Sequence, residues 1–500
     1  MANHAGPARP GPARPWRCAV AVAVSRVIVR SLDGATTSPV PAQGRSGCAP
    51  RGARSEGEVC MGRLTEGAGG ASAAPSVAVA VAAGPPAPPD RRRLTALDAF
   101  RGCLVALRIL IGSQVAELAA PALLHADGFG LTVADLVAPG FLFIMGMAVP
   151  VSMSAFLRPP AEGAVGGPTR RPQLLRIARR AALLYAIGMF LNAYPFLPEV
   201  LAQLRFVGVL QRLGVVYLVV SLLYVTCAWS MLPVGVRPRA LRVSIRTSVR
   251  AFLLGGFPLG CVVLWIVATY SFHSPWPECA GVHGLVRDCS LEAYVDTSLW
   301  GVRHNFNGAV FDPEGLPSTL VAVVNCWAGL VVGMDLVRNR RRYRTTGGVR
   351  RRASLLIAAG VVGIAAGLTL GQVIPIGKQL WTPSYALVTT GIMAAGFGAV
   401  LLAFDGGWWR RTPCGDTLVA LGRNPLFFYV LSELVTDTLD YLPVRHHGAA
   451  GSVWSVGAEV GLASWLPAPL ASVVWALLWL LVCYVPLARL LVSRGWYIRV

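Results

Sequence analysis

Apolar windows of about twenty residues recur along this chain, and short arginine-bearing loops separate them. They fall near 96–115, 133–153, 178–195, 206–230, 251–271, 316–336, 353–373, 383–404, 416–435 and 467–492. A window of that length crosses the hydrocarbon core of a bilayer when it coils into an α-helix. A helix also satisfies its own backbone hydrogen bonds, which lipid cannot do. The pattern therefore predicts an all-α, polytopic transmembrane helix bundle of about ten spans. Composition agrees: 54% of residues are hydrophobic and mean hydropathy is +0.57. Only 14% are charged, against about 25% in an ordinary soluble chain.

The net charge of +21 reads as topology rather than as affinity for nucleic acid. Arginines collect at 91–93, 158–180, 237–250, 338–352, 410–411 and 494–499, which are alternate loops if there are ten spans. The positive-inside rule then places these loops and both termini in the cytoplasm. A plasma membrane, the bacterial inner membrane, is the expected location. The intervening loops carry acids and histidines. The longest, about 272–315, holds Glu278, Asp288, Glu292, Asp296, His273, His283 and His304. Lys378, the only lysine in the chain, lies in another.

Residues 1–90 are rich in Ala, Gly, Pro and Arg and show no sustained periodicity. Such a segment buries too little apolar surface to offset its ordering entropy. It is expected to be disordered, or spurious if Met61 is the true start, with residues 91–500 forming the membrane domain. Cys279 and Cys289 share the long outer loop and could pair in an oxidising compartment. No Cys/His spacing suggests a metal, so none is expected.

The candidate chemistry begins at His125, Asp127 and Asp135, an imidazole and two carboxylates at the mouth of an apolar helix. Ionisable groups beside a span cost free energy and so suggest a site. Asp135 has a second reading. Thr132 and Asp135 have the spacing of a capping box, with the Thr132 hydroxyl accepting an orphan N–H and Asp135 reaching back. Asp98 and Arg101 can pair on one helical face, or Arg101 can meet an anionic phosphate. Arg212 lies within a span and must face the bundle interior and find a carboxylate. Asp312, Glu314 and His304 could hold an amino sugar; Lys378, Trp381, Ser384 and Tyr385 could pack or contact sugar, Trp381 offering an apolar ring face. Asn424 and Glu433 are polar residues at or within a span, where helix–helix hydrogen bonds are the plain account.

Five motifs occur in a telling order. They are Asp98-Ala-Phe-Arg101-Gly102 with Gly130-Leu-Thr-Val-Ala-Asp135; Arg205-Phe-Val-Gly-Val-Leu-Gln211-Arg212; Asp312-Pro-Glu314-Gly-Leu-Pro-Ser318-Thr319; Lys378-Gln-Leu-Trp381-Thr-Pro-Ser384-Tyr385; and Gly422-Arg-Asn424-Pro. Together, over about residues 94–495, they resemble the heparan-α-glucosaminide N-acetyltransferase family and its bacterial relatives. The resemblance implies a helix bundle, sometimes a homodimer, that moves acetyl from cytosolic acetyl-CoA to a glucosamine amine on the far side. It implies that His125 is the active-site histidine, with Asp135 orienting it or binding the amine. His125 could act as base or carry the acetyl group itself. A histidine, with an ordinary pKa near 6.5, suits either task. The resemblance further assigns Asp98, Arg101 and Arg212 to the donor, and Asp312, Glu314, Trp381 and Asn424 to the acceptor.

One departure stands out. Gly112 replaces a usual asparagine and Arg108 a usual apolar residue, with Ser113 or Gln114 as candidates to supply the lost amide. The alternatives to a transferase are a proton-coupled sugar or amine transporter using His125 and Asp135 as relay, and a non-catalytic membrane partner.

Overall fold

The computed structural model describes residues 94–153, 170–230, 248, 251–282, 284–405, 407, 409, 412–446 and 449–498. The expectation for residues 1–90 lies outside them, as do the arginines at 158, 237–246, 410 and 411.

The elements that position the site are α1 (Thr95–Gly112), α2 (Val137–Met153), α3 (Arg170–Ala193), α4 (Val209–Ser230), α5 (Phe257–Ser271), α6 (Leu291–Trp300), α7 (Leu316–Arg338), α8 (Thr346–Leu370) and α9 (Pro383–Phe404). They are followed by α10 (Pro413–Arg423), α11 (Pro425–Asp440), α12 (Val453–Ala458), α13 (Ala468–Leu478) and α14 (Val485–Ser493). Every apolar window drawn from the sequence coincides with helix. Among the described residues six helices are long and apolar enough to cross a membrane, or seven if the bent pair α10–α11 is one span. Helix α1 carries Asp98, Arg101 and Arg108, and α3 carries several arginines, so neither is among the six. The outward faces of α5 and α8 expose Leu259, Val263, Leu264, Val361 and Val362, as lipid contact requires.

The starts of α9 and α10 share one device. Thr382 and Thr412 precede Pro383 and Pro413, and each hydroxyl accepts the N–H three residues on. The proline costs nothing there, because its missing N–H would be an orphan at the first helical position. Close packing of α2 on α7 depends on glycine. A side chain at Gly146 would overlap the Cys326 carbonyl, and one at Gly329 the Phe143 carbonyl. Small residues let membrane helices approach until their backbones touch.

Three features depart from the sequence expectation. The window 416–435 is bent by 84° between α10 and α11, because Asn424 precedes a proline and leaves the helical region. The segment 453–463 forms a helix where none was expected. A two-stranded antiparallel hairpin, Pro443–His446 with Ala449–Ser452, adds a minor β element to an otherwise helical body.

Arg108 and Gly112 explain one another. Arg108 pairs with Glu433 of α11 and lies over the Tyr429 ring, 5.0 Å from its centroid. A side chain at Gly112 would collide with the Arg108 guanidinium, so the missing side chain makes room for the arginine head. Neither candidate replaces the lost amide. Gln114 is engaged with the Leu110 carbonyl at 3.1 Å and the Ser472 hydroxyl at 2.7 Å, and the Ser113 hydroxyl is buried without a partner. Breaking a fully buried ion pair costs about 3–5 kcal/mol, and the partial exposure of Glu433 lowers this to roughly 2 kcal/mol. Glu433→Ala should therefore lower the thermal midpoint in detergent, and Arg108→Met combined with Glu433→Met should recover most of the loss. A double variant as unstable as the single one contradicts the pairing.

Candidate functional site

Asp135 organises the site. It sits in a short turn of 3-10 helix, Ala134–Leu136, just before α2, and its side chain is 0% exposed. Its Oδ2 accepts the Thr132 N–H at 3.0 Å, the Thr132 hydroxyl at 2.9 Å and the Ala126 N–H at 3.4 Å. Half of the expected capping box is thus present. Asp135 reaches back to the Thr132 backbone, but the Thr132 hydroxyl donates to the carboxylate instead of capping a helix. The other oxygen, Oδ1, lies 2.9 Å from His125 Nδ1. The backbone carbonyl of Asp135 accepts the Tyr385 hydroxyl of α9 at 2.6 Å.

A buried carboxylate next to an imidazole selects the tautomer with the proton on Nδ1, leaving the Nε2 lone pair free to act as a base. The His125 side chain is 56% exposed while Asp135 is buried, so the ring is accessible and its orienting partner is not. Lys378, in the loop before α9, completes the group. Its Nζ stands 2.9 Å from His125 Nδ1, 3.2 Å from Nε2 and 3.7 Å from Asp135 Oδ1. Burial pushes the Lys378 ammonium below the usual lysine range, against the opposing pull of Glu314 and Asp135.

A second cluster adjoins this one. Arg205 forks onto Asp312, with Nε 2.7 Å from Oδ2 and the second nitrogen on Oδ1, and it also reaches Glu314. Asp312 accepts the Phe306 and Glu314 N–H groups as well, each at 2.9 Å. All four acceptor positions of its carboxylate are therefore taken by protein donors. Asp312 thus ties Arg205 to the loop that carries Glu314. Glu314 differs, because it lines a gap about the size of one water molecule with Arg212, Trp381, Ala138, Leu142, Val209 and Leu213. Burial would raise its pKa, but Arg205 and Arg212 hold the carboxyl down to about 2.

Arg212 is buried, as the sequence required, but its hydrogen bonds go to carbonyls and hydroxyls of residues 313–319 and not to a carboxylate. It donates to the Pro313 carbonyl at 2.9 Å, the Thr319 hydroxyl at 3.2 Å and the Ser318 hydroxyl. Its guanidinium also lies 4.7 Å from the centroid of the Trp381 ring. Trp381 has a left-handed φ of 51°, a conformation costly for a bulky residue. It is held by an indole hydrogen bond of 3.0 Å to Asn325 Oδ1.

The three residues assigned to the donor do not gather. Arg212 belongs to the cluster just described. Asp98 and Arg101 pair at 3.4 Å near the opposite end of α1, with Arg101 eleven residues, about 16 Å of helix, before Gly112. Asn424 is also remote from His125. Its amide donates to the Trp496 carbonyl at 3.1 Å and accepts the Ile498 N–H at 2.8 Å, which fastens the C-terminal segment to the bend. His304 braces the Arg205 segment through the Leu204 carbonyl, 2.8 Å away, and the Phe206 ring. Cys279 and Cys289 form a disulfide. Among the described residues no group of three or more His, Cys, Asp or Glu could hold a metal.

Sequence reasoning left Lys378 and Tyr385 as packing or sugar-contact residues and gave Arg205 and Asp296 no role. Lys378 had one signal, its being the sole lysine among 45 basic residues. Asp296 of α6 is buried. Its Oδ1 accepts the Leu316 N–H at 2.9 Å, and its Oδ2 has no partner. Burial pushes its carboxyl up to about 7.

Residues 93–269 match the family model described as heparan-alpha-glucosaminide N-acetyltransferase, catalytic. The chain is 28% identical over 425 residues to a Mus musculus protein named heparan-alpha-glucosaminide N-acetyltransferase, covering 79% of this chain and 59% of that one. It is 28% identical over 389 residues to a Homo sapiens protein of the same name, covering 71% and 54%. The chain thus spans a little over half the length of these relatives.

The Asp296 carboxyl has a folded-state pKa above its ordinary 3.8. Its contribution to stability is full below about pH 4 and is lost as pH rises through about 7. Asp296→Asn should flatten the fall in thermal midpoint between pH 5 and 8 and raise the midpoint at pH 8. An unchanged slope contradicts the assignment.

Proposed function

The chain is a relative within the heparan-alpha-glucosaminide N-acetyltransferase family, and on that premise we propose that it is a transmembrane acetyltransferase whose base is His125. The donor is acetyl-CoA from the cytosol, and the acceptor is the amine of an amino sugar on the other side of the plasma membrane. One observation carries this reading: the buried Asp135 carboxylate lies 2.9 Å from Nδ1 of an accessible histidine.

The chemistry follows from that pair. An amine attacks a thioester carbonyl only as the free base. With Nδ1–H directed at Asp135, Nε2 takes the amine proton, and the buried carboxylate stabilises the imidazolium that forms. A base so placed contributes about 10²–10⁴-fold in rate. The thiolate released when the C–S bond breaks then takes the proton back.

Glu314 is the acceptor-side residue we assign, because it stays a carboxylate at any pH above about 2 and acts electrostatically on Lys378 beside His125. A carboxylate there attracts the ammonium form of an amino sugar. Arg205 and Asp312 hold it in place. Trp381 and Arg212 form the wall behind it. Arg101 at the far end of α1 is the residue we assign to the anionic part of the donor, with Asp98 positioning it, since arginine forks onto phosphate oxygens.

Purified chain with acetyl-CoA and glucosamine should yield N-acetylglucosamine. His125→Ala should lower kcat about 10²-fold or more. Asp135→Asn should lower kcat while leaving KM for the donor near its original value. A His125→Ala rate within a few-fold of the parent rules the imidazole out as base. Glu314→Gln should act mainly on KM for the sugar, and an unchanged KM would remove Glu314 from the acceptor site.

A further inference from the structure

We propose that Lys378 is a self-acetylation site, modified by the protein's own transfer chemistry when donor is present and acceptor is scarce. The inference rests on the transferase reading above. It concerns a reaction of the chain with itself that this reading does not require.

The geometry is that of a nucleophile beside its base. Lys378 Nζ stands beside the ring, 2.9 Å from His125 Nδ1 and 3.2 Å from Nε2, and Nε2 is the nitrogen left unprotonated when Nδ1–H points to Asp135. That is within the reach a general base needs of the proton it removes. The side chain is only 14% exposed and lies 3.7 Å from the Asp135 carboxylate, so the amine is confined to this spot. Glu314 also acts on it electrostatically. Lys378 is therefore a primary amine held beside the Asp135 carboxylate and next to the imidazole, the setting proposed for the amine of the sugar. Its burial also favours the neutral, nucleophilic form.

The step balances without any further reagent. The Nζ lone pair attacks the thioester carbonyl carbon of acetyl-CoA, and an N–C bond forms. The nitrogen loses one proton to His125 Nε2. The C–S bond breaks with its electron pair going to sulfur, and the thiolate takes the proton from the imidazolium. The products are N-acetyl-Lys378 and CoA thiol. The amide carries no charge, so Asp135 loses the cation beside it and the acetyl group fills space beside the base.

The sequence makes the test unusually clean, because Lys378 is the only lysine among 500 residues. A protease specific for lysine cuts the chain at that one point, and acetylation blocks the cut. Full-length protein in detergent is incubated with radiolabelled acetyl-CoA, with and without glucosamine, then treated with hydroxylamine, which strips acetyl-imidazole but spares amides. The expected result is hydroxylamine-stable label at Lys378, verified by peptide mass, with loss of the cut. Saturating glucosamine should reduce the labelling rate about tenfold or more, and both His125→Ala and His125→Gln should reduce it about 100-fold. Acetylated sugar together with an unlabelled, fully cleavable Lys378 in the acceptor-free arm overturns the inference and leaves the transferase standing. Label in neither sugar nor lysine overturns the transferase itself, and the inference with it.

Discussion

The fully buried carboxylate of Asp135, at the point where the chain turns into α2, is the constraint on which the site depends. An ion in that position is costly unless every acceptor lobe is met. Four groups meet it: the Thr132 N–H, the Thr132 hydroxyl, the Ala126 N–H and the His125 ring. Each of these donors lies within ten residues in sequence, so the loop closes on its own carboxylate. The imidazole is thereby held in place by the same bonds that make the burial of Asp135 tolerable. Tyr385 fastens the turn to α9, which brings the Lys378 loop to the same point.

The second cluster follows the same logic at longer range. Arg205 and Arg212 precede and open α4, and the carboxylates they serve lie about a hundred residues later. Asp312 ties Arg205 to the loop and Glu314 lines the gap beside Trp381. Two neighbouring acids in one short motif thus have different roles, set by how many donors surround each. At the other end of α1, Asp98 and Arg101 form a separate pair. Between the two ends the Arg108–Glu433 pair ties α1 to α11, with Gly112 leaving the space that the guanidinium fills.

The helices were legible because about twenty apolar residues in a row admit few other structures. The bend at Asn424 had a signal in its Asn-Pro dipeptide, but hydropathy averages across it. The helix at 453–463 had none, being short and interrupted by glycines. His125 and Asp135 were readable as a pair because ten residues separate them. Lys378 was not, since it meets His125 across 253 residues, and contacts at that separation are made by helix packing alone. Asn424, expected on the acceptor side from its motif, also fastens the C-terminal segment through contacts distant in sequence.

A bundle that serves acetyl transfer across a membrane must bring donor and acceptor to one imidazole from opposite sides. The most direct measurement uses proteoliposomes with glucosamine trapped inside and radiolabelled acetyl-CoA outside, with the protein oriented so that the arginine-rich loops face outward. The prediction is N-acetylglucosamine in the lumen while acetyl-CoA stays outside, lost in His125→Ala. Unmodified glucosamine passing through the wall with no acetylated product would contradict it.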